Sequence, residues 1–211
     1  MSYCSRLILA LGWKMTEAIN TRKKPRQIRA QATVAAILEA SAHILVDDGH
    51  DALNTNKIAE RAGVSIGSLY QYFPNKEAVM TELIRQKRSR MLTAVDMALD
   101  DTRSDVFDTA LDAVLASIIQ LHLNWPRLAL ALDQAEAFLP LDDETIQFKV
   151  ALNGKIKEVL GRQGSKVSEQ TIQDVVAIAK GMIEQASLAR ETDEVDLRRR
   201  IMRAVIGYLG R

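Results

Sequence analysis

The stretch from Leu53 to Lys76, LNTNKIAERAGVSIGSLYQYFPNK, decides the fold of this chain. Thr55 is a good N-cap residue and is predicted to start a helix of one to two turns. Gly63 permits a sharp turn after it, because a residue without Cβ reaches backbone angles that others avoid. Ser65 is predicted to cap a second short helix, which Phe73-Pro74 ends, since proline disfavours helix at the preceding residue. Two short helices around such a turn are typical of a helix-turn-helix, which places its second helix in the DNA major groove.

The segment from Thr33 to Met80 resembles the DNA-binding domain of the TetR family of bacterial transcriptional regulators. The resemblance is carried by AGVS at 62–65, GSLY at 67–70, YF at 72–73 and NKEA at 75–78. A bare helix-turn-helix pattern is weak evidence, whereas this combination in one register is highly specific. The rest of the chain is similar to the family in length and helical character only. The resemblance implies an all-α fold, with an N-terminal three-helix DNA-binding domain joined to a helical C-terminal ligand-binding and dimerisation domain.

The chain is expected to have three parts. Residues 1–29 are interpreted as a flexible basic extension, residues 30–78 as the DNA-binding domain and residues 79–211 as the ligand-binding and dimerisation domain. Apolar residues at helical spacing predict a first helix over Ala30–Asp47 and a long helix from Asn75 to about Asp100. The same spacing predicts five further helices: 107–122, 127–138, 144–160, 168–189 and 195–209. The pattern contains no strand and no internal repeat.

Composition and charge agree with this division. The chain has 211 residues, of which 47% are hydrophobic and 5% aromatic, and it has four prolines, a balance that favours helix over sheet. Residues 1–90 carry 14 Lys and Arg against 8 Asp and Glu, a net charge of +6, whereas residues 91–211 carry 14 against 19, a net charge of −5. We therefore expect the first part to meet a polyanion. The single cysteine, Cys4, excludes an intrachain disulfide and a Cys-based zinc site and fits a cytoplasmic protein.

The N-terminal residues are expected to be neither a membrane anchor nor a signal peptide. No run approaches the roughly 18 apolar residues of a membrane span. The start, MSYCSRLILALGW, imitates a signal peptide only faintly, because its apolar run is minimal and no small-residue cleavage site follows. We interpret it as an extension, or as a misassigned start with Met15 as the initiator. The basic run that ends at Arg29 is either a solvated charge run or an arm that reaches DNA phosphates or the minor groove.

Three side chains are expected at the DNA backbone. Lys76 lies in the first turn of a helix that Asn75 caps, where the helix dipole opposes a positive charge, so a phosphate partner would account for its position. The resemblance implies the same contact for Lys76 and a phosphate contact for Tyr70, whose alternative is a core position. Thr55 offers a hydroxyl beside the free amides of a helix N-terminus. Ser65, at the start of the second helix, is also expected at the DNA interface.

Base reading is expected from the exposed positions of the second helix, which is predicted over 66–72. Ile66 can meet only an apolar feature such as a thymine methyl, whereas Ser68 hydrogen-bonds to any base. Tyr72 is a third candidate, and Gly67 allows close approach of the backbone. Asn56 either reads adenine or extends the helix cap.

A single short major-groove helix gives few contacts, so a homodimer on a palindromic operator is expected. The helices 168–189 and 195–209 are the best candidates for its interface, because two per protomer would form a four-helix contact. Ala177 and Gly181 would permit close approach there. The alternative is that this surface is intramolecular core.

The resemblance also implies a pocket for an unknown small-molecule effector. Binding of the effector in this pocket would change the distance between the two DNA-binding domains of the dimer. Such a shift requires the effector to prefer one state. Asp133 and Glu136 either meet a cationic ligand or face water, and water is the favoured interpretation. Candidate pocket residues are His122, Trp125, Gln134, Phe138 and Met182, although such stripes are more often plain core.

Enzymatic function has little support in the sequence. HExxH, GxGxxG, phosphate-loop and GxSxG motifs are absent, and the three histidines are dispersed. We therefore predict no catalytic residue, no metal and no cofactor. Two hypotheses remain: a homodimeric repressor that a ligand releases from its operator, and a nucleoid-organising or protein-interaction dimer with the same fold. High sequence selectivity would separate the first from the second.

Overall fold

The computed structural model describes residues 24–139, 141–164 and 167–210. Most of the expected basic extension, with Cys4 and Met15, lies outside the described residues. The described residues form nine α-helices, with no strand among them, so the all-α prediction is confirmed. A short 3-10 helix, His50–Ala52, follows the first α-helix. The α-helices are α1 Lys24–Asp47, α2 Thr55–Ala62, α3 Ile66–Tyr70, α4 Lys76–Asp101, α5 Phe107–Leu123, α6 Pro126–Glu136, α7 Asp142–Gly161, α8 Glu169–Leu188 and α9 Glu194–Tyr208.

The first helix is longer than the sequence pattern predicts. α1 begins at Lys24 rather than at Ala30. Pro25 falls in its first turn, where the missing N–H costs no helix hydrogen bond, and the Arg and Gln residues that follow are good helix formers. The contacts of the chain divide it inside this helix, between Ala35 and Ala36. The helix-turn-helix and all the C-terminal helices therefore belong to the unit Ala36–Arg211.

The helices before residue 80 share an apolar core. The second part of α1, together with α2, α3 and the start of α4, turns one face of each helix inward, as the helical spacing predicts. The burial of these side chains fixes the mutual arrangement of the short helices, which would not be stable alone. The most deeply buried members are Ile37, Ile44, Leu53, Ile58, Leu69 and Val79.

The C-terminal helices enclose a second, larger core. The end of α4 contributes Val95 and Leu99 to it, so α4 has buried residues in both parts of the unit. The expected domain boundary after residue 78 falls within the first turn of this helix. The other large members are Phe107, Leu111, Val114, Leu115 and Ile119 of α5, Ile156, Val159 and Leu160 of α7, Ile172, Val175 and Ile183 of α8, and Leu197, Ile201 and Val205 of α9.

α7 runs parallel to α4 and is attached to it by polar contacts at intervals. Arg85 donates to Glu144 with two hydrogen bonds, of 2.9 and 2.6 Å, and Lys155 pairs with Asp96 farther along. Both pairs join residues 59 apart in sequence. The buried side chains of α7 all lie at or after Ile156. The first half of α7 therefore rests on α4 mainly through polar side chains.

Among the described residues, no helix combines the length and the apolar character that crossing a membrane requires.

Candidate nucleic-acid interface

The first helix of the helix-turn-helix is capped by Asn54. This residue has extended backbone angles, φ −146° and ψ 159°, and its Oδ1 accepts a hydrogen bond from the Lys57 N–H at 2.9 Å. The prediction of Thr55 as the N-cap is therefore wrong. Both residue types cap helices well, and the residue that remains in the extended conformation takes the role. Thr55 becomes the first helical residue, which leaves its hydroxyl available for another contact.

The turn between α2 and α3 forms as predicted. Gly63 adopts the left-handed conformation, φ 67° and ψ 28°, and its N–H donates to the carbonyl oxygens of Ala59 and Glu60. The Val64 N–H donates to the same Ala59 oxygen at 3.0 Å. A Cβ on Gly63 would meet no atom within 4 Å, so the backbone conformation alone favours glycine here.

α3 is shorter than predicted and is capped by the predicted residue. The Ser65 Oγ accepts a hydrogen bond from the Ser68 N–H at 3.1 Å, and the two hydroxyl oxygens lie 2.8 Å apart. The helix ends at Tyr70, two residues before the predicted end, and the Tyr72 and Phe73 N–H groups both donate to the Leu69 carbonyl oxygen, at 3.0 and 2.9 Å, in the turn that follows. Ser68 can still act as a donor or acceptor to a base, but it shares its hydroxyl with Ser65.

Large apolar side chains of α3 and its C-terminal turn point into solvent. The exposed fractions are 38% for Ile66, 52% for Tyr70 and 38% for Tyr72, whereas Leu69 and Phe73 are buried. Tyr70 is therefore not a core residue, while Phe73 is. Ser65 and Gly67 are also exposed, and Ser68 is half-buried, so each predicted reader is at least partly accessible. Adjacent exposed apolar residues mark an interaction surface.

Thr55 and Tyr70 meet at one side of this surface. The Thr55 Oγ1 and the Tyr70 Oη lie 3.1 Å apart, so they share a hydrogen bond between the first turn of α2 and the last residue of α3. The sequence assigned both residues to phosphate contacts, but their mutual contact was not foreseen. Two hydroxyls held side by side can both donate to one phosphate once they release each other.

Lys76 differs from the other cations of the helix-turn-helix. It is the first residue of α4, whose N-cap Asn75 accepts from the Ala78 N–H at 2.8 Å, and it makes no ion pair with any described residue. By contrast, Lys57 lies 3.0 Å from Asp48 and Arg61 lies 2.7 Å from Asp47. These two pairs hold α2 to the end of α1. Lys76 is left as a cation whose charge is available to an external anion.

Asn56 and Arg29 are the remaining expected contacts. Asn56 is exposed in the first turn of α2, and the cap hydrogen bond belongs to Asn54 rather than to it. Arg29 is exposed on the first part of α1, where its carbonyl oxygen accepts from the Thr33 hydroxyl at 2.9 Å. Arg29 is thus helical and not part of an extended arm. Its contact with DNA stays a prediction.

The five expected effector-pocket residues are not all buried. Gln134 is exposed and Phe138 is 88% exposed, so neither lines a buried cavity in this structure, contrary to the expectation. Met182 is half-buried against the C-terminal core. Trp125 packs edge-on against His43 of α1, with ring centroids 5.3 Å apart. A helical stripe alone does not tell which apolar residues turn outward near a helix end.

His122 is the most enclosed polar member of that set. Its side chain is 11% exposed, and its Nδ1 lies 3.3 Å from the Ile118 carbonyl oxygen. Burial lowers the pKa of His122, and the nearby charge of Lys87 lowers it further, while Asp133 acts in the opposite direction. The histidine is therefore neutral over more of the physiological range than a free imidazole.

Asp133 and Glu136 pair with basic residues of α4. The Lys87 Nζ lies 2.5 Å from the Asp133 Oδ1, and the Arg88 Nη2 lies 2.7 Å from the Glu136 Oε1. The favoured interpretation, that both acids simply face water, is therefore wrong. The pairs join residues 46 and 48 apart in sequence, so no local pattern revealed them.

The last two helices leave small and apolar residues on their outer surface. Ala177 and Gly181 of α8 are exposed, so the alternative that they are intramolecular core is not supported. Val195 is 67% exposed, and Tyr208 is 46% exposed while its hydroxyl donates to the Asp174 Oδ2 at 2.5 Å. This hydrogen bond lowers the pKa of the Asp174 carboxyl and joins α8 to α9. The helices therefore bury one face and present another.

The comparisons with known proteins agree with this geometry. Residues 37–83 match the family model described as bacterial regulatory proteins, tetR family. The chain is 39% identical over 88 residues to the uncharacterized HTH-type transcriptional regulator YdeS of Bacillus subtilis, a match that covers 41% of this chain and 40% of YdeS. It is 31% identical over 102 residues to the nucleoid occlusion factor SlmA of Photorhabdus laumondii, covering 48% of each. The matches thus span about half or less of these relatives.

Solved structures extend the likeness in fold to nearly the whole chain. A transcriptional regulator from Pseudomonas aeruginosa PAO1 superposes with a TM-score of 0.72 at 19% identity, over 90% of this chain and 93% of that one. The regulator FadR from Bacillus subtilis, in complex with stearoyl-CoA, gives a TM-score of 0.66 at 19% identity, over 81% of this chain and 96% of that one. The family and these relatives are regulators and not enzymes. On this match, residues 37–83 form a DNA-binding domain of the TetR family of bacterial regulatory proteins, and most of the chain shares the fold of these solved regulators.

Proposed function

We propose that this protein is a sequence-specific transcriptional repressor that binds a palindromic operator as a homodimer and leaves it when a small molecule binds the C-terminal helices. The exposed surface of α3, with Lys76 beside it, carries the proposal. A helix with a buried Leu69 and exposed Ile66 and Tyr70 has one face for the core and one for a partner. In a helix-turn-helix that partner is the major groove.

The contacts divide into those that hold position and those that read bases. Thr55, Tyr70 and Lys76 bind phosphates on the two sides of the α3 surface, and these contacts contribute to affinity for every sequence. Ile66 and Ser68 face the base edges, with Tyr72 at the end of the helix. Because an apolar side chain meets only the thymine methyl, Ile66 favours A·T pairs at its position.

The dimer forms through the outer faces of α8 and α9. Ala177 and Gly181 let two copies of α8 approach closely, and the exposed Val195 and Tyr208 of α9 lie on apolar surface that a partner would cover. The two DNA-binding domains of the dimer then bind two half-sites of the operator. A single short helix would bind one half-site with too few contacts for useful affinity. Such a reader of chromosomal DNA works in the cytoplasm.

The effector acts through α4 and α1, which both contact the C-terminal helices. Arg85 of α4 is clamped by Glu144 of α7, and His43 of α1 meets Trp125 at the start of α6. A ligand that moves α6 or α7 would therefore move helices that carry the DNA-binding core. FadR of Bacillus subtilis, which shares the fold, binds stearoyl-CoA. This likeness supports residues 79–211 as the effector and dimer domain.

The alternative function is a DNA-organising dimer with low sequence selectivity. The observation that favours it is the similarity of this chain to SlmA, a nucleoid occlusion factor, in a match that covers 48% of that protein. Binding to random DNA at physiological salt with an affinity equal to that for a chosen site would identify this function. A repressor should prefer its operator by about a thousandfold or more.

The test is binding of the purified protein to DNA that flanks its own gene, titrated against excess random DNA at physiological salt. A discrete complex that survives competition supports the repressor. A matched competitor in which only the half-site bases are scrambled shows that the bases, and not the length or composition of the DNA, are read. Equal binding to both DNAs supports the organising dimer, and absence of binding to either contradicts both.

A further inference from the structure

Arg88 is a buried cation with only part of its hydrogen-bonding capacity used. Its side chain is 8% exposed, in the space between α4, α6 and α7. The Nη2 donates to the Glu136 Oε1 at 2.7 Å and to the Thr145 Oγ1 at 2.5 Å. The Nε and Nη1 are buried and have no acceptor among the described residues. The Phe148 ring lies under the guanidinium, 5.5 Å from its carbon.

Such a guanidinium is unusual inside a folded protein. Nearly all buried polar groups are paired, and a buried donor without an acceptor destabilises the structure. The planar fork of arginine matches a carboxylate, which can accept from two of its nitrogens at once. Glu136 engages only one of the three nitrogens of Arg88, so the fork retains donors for a second carboxylate.

The helix that covers Arg88 buries few side chains along its first half. The first half of α7 has no buried side chain before Ile156 and is attached to α4 through Glu144, Thr145 and Phe148. Separating the first half of α7 from α4 therefore exposes little apolar surface, so little hydrophobic stabilisation is lost. Phe148, Leu152 and Ile156 follow at intervals of four residues on one face of α7. They would form an apolar wall beside Arg88.

The charges around Arg88 favour a ligand with a single negative charge. Arg85, Lys87 and Arg88 are matched by Asp133, Glu136 and Glu144 in three ion pairs, and Glu82 lies 3.9 Å from Arg85 as a fourth carboxylate. His122, near Lys87 and Asp133, adds no positive charge when it is neutral. A monoanion can share Arg88 with Glu136, whereas a dianion such as a phosphate monoester would add two negative charges beside that carboxylate.

We propose that the effector carries a carboxylate that binds the Nε and Nη1 of Arg88, with an apolar body lying against Phe148 and Leu152. The proposal rests on the proposed function, because it names the chemical class of that effector. The ligand enters by separating the first half of α7 from α4. Since α7 is clamped to α4 through Arg85 and Glu144, the same movement releases one contact between the effector region and the helix that carries Lys76.

The test compares carboxylates with their uncharged analogues on the full-length protein. Octanoate, decanoate and 2-naphthoate are each titrated beside the corresponding primary amide, by calorimetry and by operator release. Each carboxylate is expected to bind at least about tenfold more tightly than its amide, the range of a hydrogen bond to a charged group. R88Q should remove this preference. R85Q is the matched control, one turn earlier in α4 and paired with α7, and should keep the preference for carboxylate over amide in calorimetry, even where loss of its contact with Glu144 changes operator release.

A second variant gives a result that a folding defect in R88Q could not produce. E136Q removes the internal competitor for Arg88 and should raise the affinity for the carboxylates, opposite to the effect of R88Q. Equal binding of carboxylate and amide to the wild type, binding of neither, or loss of the preference in R85Q as well as in R88Q would each overturn the proposal. Operator binding without ligand is measured in the same samples, so failure of the effector assignment is distinguished from failure of the repressor function.

Discussion

Replacing Lys76 by alanine should lower the salt dependence of DNA binding without changing sequence preference. Lys76 makes no ion pair with any described residue, so its whole charge is available to a phosphate. Each phosphate that a protein neutralises contributes about 0.9 to the slope of log K against log salt concentration. A dimer carries two copies of Lys76, so the slope should fall by about 1.8 for the K76A dimer. Affinity should fall for operator and random DNA alike.

The matched control is Lys57, a cation of the same domain that Asp48 already neutralises at 3.0 Å. K57A should leave the slope nearly unchanged, because no counterion is released at a residue whose charge is paired within the protein. Binding would be measured by fluorescence anisotropy across a series of salt concentrations, with both variants and the wild type on the same two DNAs. An unchanged slope in K76A, or an equal fall in K57A, would refute the assignment of Lys76 to a phosphate.

Three further predictions follow from α3 and from His122. Ser68→Ala should change base preference at one or two positions of a randomised site library, and uniform weakening across the library would remove Ser68 from the readers. Leu69→Ala should lower the free energy of unfolding by about 2–5 kcal/mol, because the side chain is fully buried. Ile66→Ala should lower it by about 0.5 kcal/mol or less but should weaken operator binding, because this side chain is partly exposed. Equal losses of stability for the two variants in urea unfolding would contradict this division of the helix. Burial lowers the pKa of His122, so the unfolded chain binds more protons than the folded one, and stability should fall as the pH drops through and below 6.5. His122→Gln should flatten that dependence in thermal unfolding at a series of pH values. An equally steep curve in the variant would exclude His122 as its source.

The features that the sequence predicted correctly are those that local chemistry determines. Gly63 needs a left-handed backbone, and Ser65 and Asn75 each stand directly before a helical pattern, so their roles follow from two or three neighbouring residues. The same argument gave the wrong residue, Thr55, where two good capping residues are adjacent. Asn54 and Thr55 compete for one position, and the sequence alone does not determine which of them stays extended.

The features that the sequence missed depend on contacts between distant residues. Lys87 and Asp133 are separated by 46 residues, and Arg88 and Glu136 by 48, so neither ion pair has a periodic signal. The orientation of Phe138 was missed for a related reason. It follows the end of α6, where helical periodicity no longer fixes which way a side chain points, and it lies in solvent.

The contact between His43 and Trp125 gives the protein an internal optical reporter. The chain has only two tryptophans, and the other, Trp13, can be replaced by phenylalanine, so that all indole emission comes from the junction of α5 and α6. The imidazole of His43 lies against that indole from a helix of the DNA-binding core. Emission of the single-tryptophan protein should therefore change when α1 shifts against α6, which makes the movement between reading and effector helices observable in solution without an attached dye.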